Sequence, residues 1–137
     1  MAMRYENTLI LPPDDCLVGK AIVPKPVDGK MTEALIQYEW LSRYPGKLTQ
    51  EDILLLTHLV LNDSMPRSKD GYNALRIDFF KKARACLRSS PLVQQYAWNI
   101  YFDRRGFASL VSESSIKYKR YMASGGVRKL KAFSGSS

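Results

Sequence analysis

Apolar positions near the start of the chain follow patterns typical of β-strands. The segment Tyr5–Leu11 ends in three consecutive apolar residues, and Cys16–Val23 carries apolar residues on both sides of Gly19. Two prolines and two aspartates separate these segments. They favour a turn, because proline fixes φ and aspartate hydrogen-bonds its own backbone. We therefore predict an N-terminal β-hairpin, followed by a loop over residues 24–29.

Beyond residue 30 the apolar positions recur at helical spacing, i, i+3 and i+4. The first predicted helix covers residues 32–44 and ends at a Pro-Gly pair. The second begins after Thr49, a good N-cap, and ends near residue 62. Glu51 and Asp52 lie in its first turn, where negative charge complements the helix dipole. Its dense apolar content predicts a central core helix.

Three further helices are predicted in the second half. The third covers residues 72–88. The fourth, residues 91–105, opens with a proline in the first helical position, where its missing N–H has no partner. The fifth covers residues 113–123 and ends at two glycines. The stretch 127–137 is basic and then rich in Gly and Ser, which predicts a flexible tail.

These elements predict an α+β architecture that is mostly helical, with an N-terminal β-hairpin followed by a bundle of four to five short helices. Residues 1–126 would form a single globular domain, with the hairpin and loop in 1–30 and the helices in 31–126. The chain has 137 residues, 45% of them hydrophobic and 25% charged. Those values are ordinary for one domain with its own core.

Charge is distributed very unevenly along the chain. Residues 1–66 contain 6 Lys and Arg against 9 Asp and Glu, a net charge of −3, whereas residues 67–137 contain 15 against 4, a net charge of +11. Such asymmetry favours contact with a polyanion or with an acidic protein. The alternative is a solvated face whose charge keeps the protein soluble.

Two features favour a cytoplasmic location. No apolar run approaches the roughly 18–20 residues that span a bilayer, and the first residues lack the apolar core of a signal peptide. Cys16 and Cys86 are the two cysteines, without C-x-x-C spacing. We expect two buried reduced thiols, with a disulfide between them as the alternative.

No motif for catalysis, metal binding or cofactor binding is found. His58 is the single histidine and lies in the most apolar predicted helix, so a core or boundary position is expected and a general-base role is the alternative. The carboxylate pairs are explained by a turn and by helix capping, and no glycine run matches a phosphate-binding loop. We expect a non-enzymatic protein with no catalytic residue, no metal and no cofactor; an enzyme of unrecognised type is the least favoured alternative.

The third and fourth predicted helices, joined by a short Ser-Ser break, resemble the spacing of a helix-turn-helix. In that motif the second helix enters the major groove, where Gln94, Gln95 and Asn99 are of the right type to read bases. However, the fourth predicted helix is apolar nearly all round, which favours burial. Its Trp98 and Tyr101 would stack on bases if exposed, but core packing or a homodimer seam is the favoured interpretation.

The leading hypothesis is a small non-enzymatic regulatory or accessory protein that binds nucleic acid, with DNA as the first expectation, through the basic surface of its C-terminal half. The alternative is a protein-protein interaction module, such as an inhibitor, adaptor or assembly factor, that docks on an acidic partner. The predicted nucleic-acid-binding residues are Lys81, Lys82, Arg84, Arg88, Gln94, Gln95, Asn99, Arg104, Arg105, Lys117, Lys119 and Arg120.

Overall fold

The computed structural model describes residues 4–134. Within that range the chain forms five strands and five α-helices, with a 3-10 turn at Leu87–Ser89 before the fourth helix. In chain order they are β1 (Thr8–Leu11), α1 (Glu33–Arg43), β2 (Leu48–Thr49), α2 (Gln50–Leu61), α3 (Lys69–Phe79), α4 (Pro91–Gln94), β3 (Asn99–Phe102), β4 (Phe107–Val111), α5 (Ile116–Ala123) and β5 (Arg128–Lys131).

The strands form one mixed sheet in the order β2-β4-β3-β1-β5. Strands β3 and β4 are an antiparallel hairpin, and β2 pairs antiparallel with β4 at one edge. Strand β1 is inserted between β3, which runs antiparallel to it, and β5, which runs parallel to it. The architecture is therefore α+β, built around a five-stranded sheet and not around a helical bundle.

The main core lies on one face of this sheet. Residues paired across neighbouring strands point to the same face, and Ile10 pairs with Ile100 while Phe102 pairs with Ala108. These side chains pack in one buried cluster with residues of α1, α2 and α4. On the opposite face, Tyr121 of α5 stacks on Tyr101 of β3 with ring centroids 3.9 Å apart.

The first two predicted helices are confirmed. Thr32 caps α1 by accepting a hydrogen bond from the Leu35 backbone N–H. Thr49 caps α2 and forms a capping box with Asp52: the Thr49 hydroxyl accepts from the Asp52 N–H, and the Asp52 carboxylate accepts from the Thr49 N–H. Local sequence signals were sufficient here because cap, dipole and apolar face all agree.

The predicted N-terminal hairpin is wrong. Its first arm contains β1, but residues 16–23 form no strand, and the neighbours of β1 come from beyond residue 98. The connecting segment is fixed elsewhere: the Ile22 N–H donates to the Tyr96 carbonyl, and the Trp98 indole N–H donates back to the Ile22 carbonyl. The two prolines after β1 turn the chain away from the sheet instead of back along it.

The predicted fourth helix, residues 91–105, is also wrong. Pro91 begins α4 as expected and Ser90 caps it, but the helix ends at Gln94, and Ala97 adopts a positive φ of 58° before β3 begins. The apolar run that follows is a strand covered on both faces, with Ile100 and Phe102 in the main core and Tyr101 under α5. A strand buried on both faces and a buried helix share this pattern.

The third and fifth helices are shorter than predicted. Ser68 caps α3, which ends at Phe79. The Arg84 guanidinium donates a hydrogen bond to the Phe79 carbonyl at that end of the helix. Ser115 caps α5, which contains no buried residue. The basic segment 128–131, assigned by sequence to a flexible tail, forms β5, and residues 135–137 of that tail lie outside the described residues.

Candidate functional site

An arginine-lined cleft of about 590 Å³ opens at the end of the sheet where β1 begins and β3 ends. We call it the arginine cleft. Three chain segments and one residue of α3 surround it. Its lining residues are Arg4, Tyr5, Thr49, Gln50, Glu51, Arg76, Arg104, Arg105, Gly106 and Phe107.

The turn between β3 and β4 places two of these arginines. Asp103 organises the turn: one carboxylate oxygen accepts the backbone N–H groups of Arg105, at 2.8 Å, and Phe107, at 3.0 Å. Gly106 closes the turn with φ of +87°, a conformation that glycine adopts at little cost. The Asp-Arg-Arg-Gly sequence thus projects two consecutive guanidinium groups from a well-defined hairpin tip.

Arg4 lies against the same tip. Its Nη2 donates to the Arg105 carbonyl at 3.0 Å, and a Cβ placed on Gly106 would lie 3.3 Å from its Nε. The absence of a side chain at Gly106 therefore lets Arg4 approach the turn closely. This contact brings together arginines that are 101 positions apart in the sequence.

The opposite wall is the start of α2, with Arg76 of α3 fixed to it. Arg76 bonds the Glu51 carboxylate at 2.6 Å and the Asp52 carboxylate at 3.2 Å. Tyr72 also donates to Asp52, and burial, together with that carboxylate, raises the pKa of Tyr72 to about 12. The positive charge of Arg76 is thus largely compensated, and its role is to anchor α3 to the cleft wall.

The other three arginines keep uncompensated charge. Within residues 4–134, the ion pairs include none formed by Arg4, Arg104 or Arg105, and all three side chains are exposed. The N-terminus of the twelve-residue helix α2 lies beside them, and Glu51 and Asp52 in its first turn offset its partial positive charge. The cleft therefore concentrates positive potential in a concave space, which is the electrostatic requirement for binding an anion.

Buried residues form the floor of the cleft. Tyr5 is 3% exposed and Gln50 4% exposed. The Tyr5 hydroxyl donates to the Cys86 sulfur at 3.3 Å, and burial, followed by this contact, raises the pKa of Tyr5 above its usual range. The phenol stays protonated at neutral pH and adds no negative charge to the site.

Only Arg104 and Arg105, of the twelve residues predicted from sequence, lie in the arginine cleft. Lys81 and Lys82 are exposed after α3, where Arg84 stacks on the Phe79 ring with its guanidinium carbon 3.8 Å from the centroid. Lys81 lies 3.8 Å from Asp78, which partly offsets its charge. This group lies beyond the C-terminal end of α3.

Arg88 and Gln94 support the chain that follows β5. Arg88 donates twice to the Lys131 carbonyl, and Gln94 donates to the Phe133 carbonyl. Lys131 pairs with the last residue of β1, at the far end of the strand from the cleft. These two side chains therefore have a structural explanation and lie apart from the other predicted residues.

The proposed base readers do not lie on a recognition helix, because residues 95–105 are not helical. Asn99 is 1% exposed, and its amide N–H donates to the Val111 carbonyl at 3.0 Å within the β3–β4 hairpin. Gln95 is exposed at the end of α4, which has four residues. The helix-turn-helix prediction is therefore wrong.

Lys117, Lys119 and Arg120 are exposed on α5, on the sheet face opposite the main core. Their helix contains no acidic residue. They form a second basic surface, which we call the α5 surface. The fifteen basic residues of the second half are thus distributed over several parts of the molecule and do not all converge on one site.

Among the described residues, the histidine and the two cysteines do not line the arginine cleft. His58 is exposed, with its ring centroid 4.9 Å from that of Phe79 and one ring nitrogen 3.3 Å from the Asn62 amide. The part of the chain that the structure describes contains no group of three His, Cys, Asp or Glu residues arranged to hold a metal ion. Cys16 and Cys86 are free and partly exposed, whereas sequence predicted that both would be buried.

Sequence reasoning missed Arg4 and Arg76 as members of the site. Arg4 belongs to the acidic half of the chain, and no local signal connects it with residue 105. The Asp-Arg-Arg-Gly turn did carry a usable signal, because Gly after two polar residues between apolar runs predicts a hairpin loop. Assigning residues 91–105 to a helix hid it.

Comparison with known proteins shows to which family the chain belongs. A model described as "Family of unknown function (DUF6157)" matches residues 1–137. The chain belongs to this family. No curated protein and no solved structure gives a significant match. Among the helices described for residues 4–134, none has the length and apolar character needed to cross a membrane.

Proposed function

We propose that this protein is a non-enzymatic nucleic-acid-binding protein and that the arginine cleft is the centre of its contact surface. One observation carries the proposal: Arg4, Arg104 and Arg105 gather beside the N-terminus of α2 without carboxylate partners among the described residues. Guanidinium groups bind phosphate oxygens in bidentate geometry, and phosphate contacts supply most sequence-independent affinity for nucleic acid.

The overall charge supports the same proposal. The chain has a net charge of +8, which attracts polyanions over distances longer than a single contact. The α5 surface would contribute to this general attraction without forming the central site. The residues predicted to read bases either have a structural role or do not lie on a recognition helix. Binding would therefore depend on the nucleic-acid backbone and not on base sequence.

The test is a fluorescence-anisotropy titration of labelled single-stranded DNA, duplex DNA and RNA at two salt concentrations. We expect binding at low salt that weakens steeply as salt rises, because bound cations release counterions from the strand. Undetectable binding of all three at low salt would reject the proposal.

A matched pair of variants locates the contact. The R4A/R104A/R105A variant removes three cations from the cleft, and the K117A/K119A/R120A variant removes three from the α5 surface. For a single strand, losing three phosphate contacts should reduce the salt slope by about 2. The cleft variant should show this loss together with the larger drop in affinity. Equal losses in both variants would show that net charge, not the cleft, drives binding.

The alternative partner is an acidic protein. Pull-down from lysate with and without nuclease separates the two: recovery of one acidic protein that survives nuclease, without nucleic-acid binding in the titration, would favour an interaction module. A regulatory or accessory role in the cytoplasm remains part of the proposal. Two free cysteines are consistent with a reducing compartment.

A further inference from the structure

We infer that the arginine cleft recognises a terminal phosphate monoester of a nucleic acid, in preference to the phosphodiesters within the strand. This inference rests on the proposed function and specifies which part of the nucleic acid the site takes. Three features support it: the shape of the cleft, the number of arginines without a carboxylate partner among the described residues, and the contacts that hold those arginines in place.

The shape of the cleft favours a strand end. Exposed arginines form its rim, whereas its floor is built from buried Tyr5, Gln50 and Gly106. At about 590 Å³ it has the size of a small-ligand pocket, close to what one nucleotide needs. A continuous backbone crosses a surface, whereas a terminal group with one adjoining nucleotide can enter a recess of this size.

The charge of the cleft matches a monoester better than a diester. Three guanidinium groups lack a carboxylate partner within residues 4–134. An internal phosphodiester carries one negative charge and two free oxygens. A terminal monoester carries close to two charges and three oxygens at neutral pH, so it satisfies more of these donors.

The attachment of the arginines favours a defined geometry. The Asp103 carboxylate fixes the backbone of Arg105, and the Arg4 guanidinium donates to the Arg105 carbonyl. The Arg105 guanidinium lies over the Phe107 ring, with its central carbon 5.5 Å from the centroid. Two of the three guanidinium groups are thus oriented before any ligand binds. Guanidinium groups held in a fixed orientation discriminate between different arrangements of phosphate oxygens.

The experiment compares single strands of one sequence that differ only at their ends: a 5′-phosphate, a 3′-phosphate, hydroxyl groups at both ends, and a closed circle. We expect one phosphorylated end to bind at least about tenfold more tightly than the hydroxyl-ended strand, because charge-assisted hydrogen bonds are lost without it. The phosphorylated strand that binds more tightly, 5′ or 3′, identifies the end that the cleft recognises.

Two variants separate this inference from general binding. R104K/R105K keeps both charges but removes the guanidinium groups, so its affinity for every strand should fall and the ratio of its affinities for the phosphorylated end and for the circle should drop toward one. K117A/K119A/R120A should weaken every strand to a similar degree and leave the preference intact. Thermal melting of both variants shows that they fold.

The outcomes are distinguishable. Equal affinity for phosphorylated, hydroxyl-ended and circular strands would overturn this inference while the proposed nucleic-acid function stands. Absence of binding to all four strands at low salt would overturn both. The last competitor tested is a mononucleoside monophosphate: if it competes as strongly as the phosphorylated strand and the hydroxyl-ended strand does not bind, the cleft is assigned to free nucleotides and both proposals are overturned.

Discussion

Replacing Gly106 with alanine tests how the hairpin tip holds the arginine cleft. Gly106 has φ of +87°, and a left-handed conformation costs a residue with a Cβ about 1–2 kcal/mol. Because this φ lies well beyond the left-handed minimum, the upper part of that range applies. The lower entropy of an unfolded chain with alanine offsets about 0.4–1 kcal/mol. We expect a net loss of about 1–1.5 kcal/mol in the free energy of unfolding.

The added methyl group also meets Arg4. Its nearest neighbours would be the Arg4 Nε at 3.3 Å and the Tyr5 carbonyl oxygen at 3.5 Å. The second distance is an ordinary van der Waals contact, whereas the first requires the Arg4 side chain to move. Since that side chain is exposed, its displacement should affect anion binding more than stability.

Thermal and urea unfolding measure the prediction. For a chain of this length, the expected loss corresponds to a Tm lower by about 3–6 °C. G125A is the matched control, because a Cβ there meets no atom within 4 Å and its φ is not in the left-handed range; its stability should be unchanged or slightly higher. A G106A protein within about 0.5 kcal/mol of the original, or an equal loss in G125A, would refute the reasoning.

Three more substitutions test other contacts. The folded pKa of Tyr72, about 12, lies above its ordinary value of 10.0, so the stability linked to its protonated form is present below pH 10 and lost as pH rises through 12; Y72F should therefore lose less stability over that range than the original protein in alkaline denaturation. N99A leaves the buried Val111 carbonyl without its side-chain donor and should cost about 1–3 kcal/mol in urea unfolding without changing nucleic-acid affinity; unchanged stability with weakened binding would restore Asn99 as a reader. Y121A removes the α5 ring that stacks on Tyr101 and should cost about 0.5–1.5 kcal/mol beyond its lost buried area, with the helical circular-dichroism signal reporting whether α5 remains formed.

Elements whose signals are local were predictable from sequence. Helix α2 is the clearest example, because Thr49, Glu51 and Asp52 act within one turn and the apolar run follows directly. The start of the fourth helix at Pro91 was likewise identified, although α4 then ended after one turn. Such signals fix where a helix starts better than where it stops.

Elements defined by distant pairing were not predictable. Strand β1 has no sequence-adjacent partner, and the pairing of Thr8–Leu11 with Arg128–Lys131 joins segments 120 positions apart. Strand β3 has the apolar residues of a buried helix because α5 covers one face and the main core covers the other. The pattern of apolar residues reports how many faces of a segment are covered, not whether that segment is a helix or a strand.

The candidate site shows the same division. Arg104 and Arg105 were both predicted as binding residues. The sequence placed them in a helix, whereas the structure places them in the turn between β3 and β4. Arg4 joins them through a backbone contact that only the completed sheet creates. The charge count indicated a basic surface in the second half, but it gave no information about where folding would place each cation.

The insertion of β1 between β3 and β5 constrains the order in which the molecule assembles. During synthesis the opening strand emerges long before either neighbour exists, and it must wait without backbone partners until at least residue 102 has been made. Sheets closed by such remote pairings form slowly, since a long loop is ordered before any contact compensates for it. The α1–α2 pair, made from nearby residues, is then the natural first scaffold, and the arginine cleft becomes complete only when the hairpin tip docks beside the start of β1.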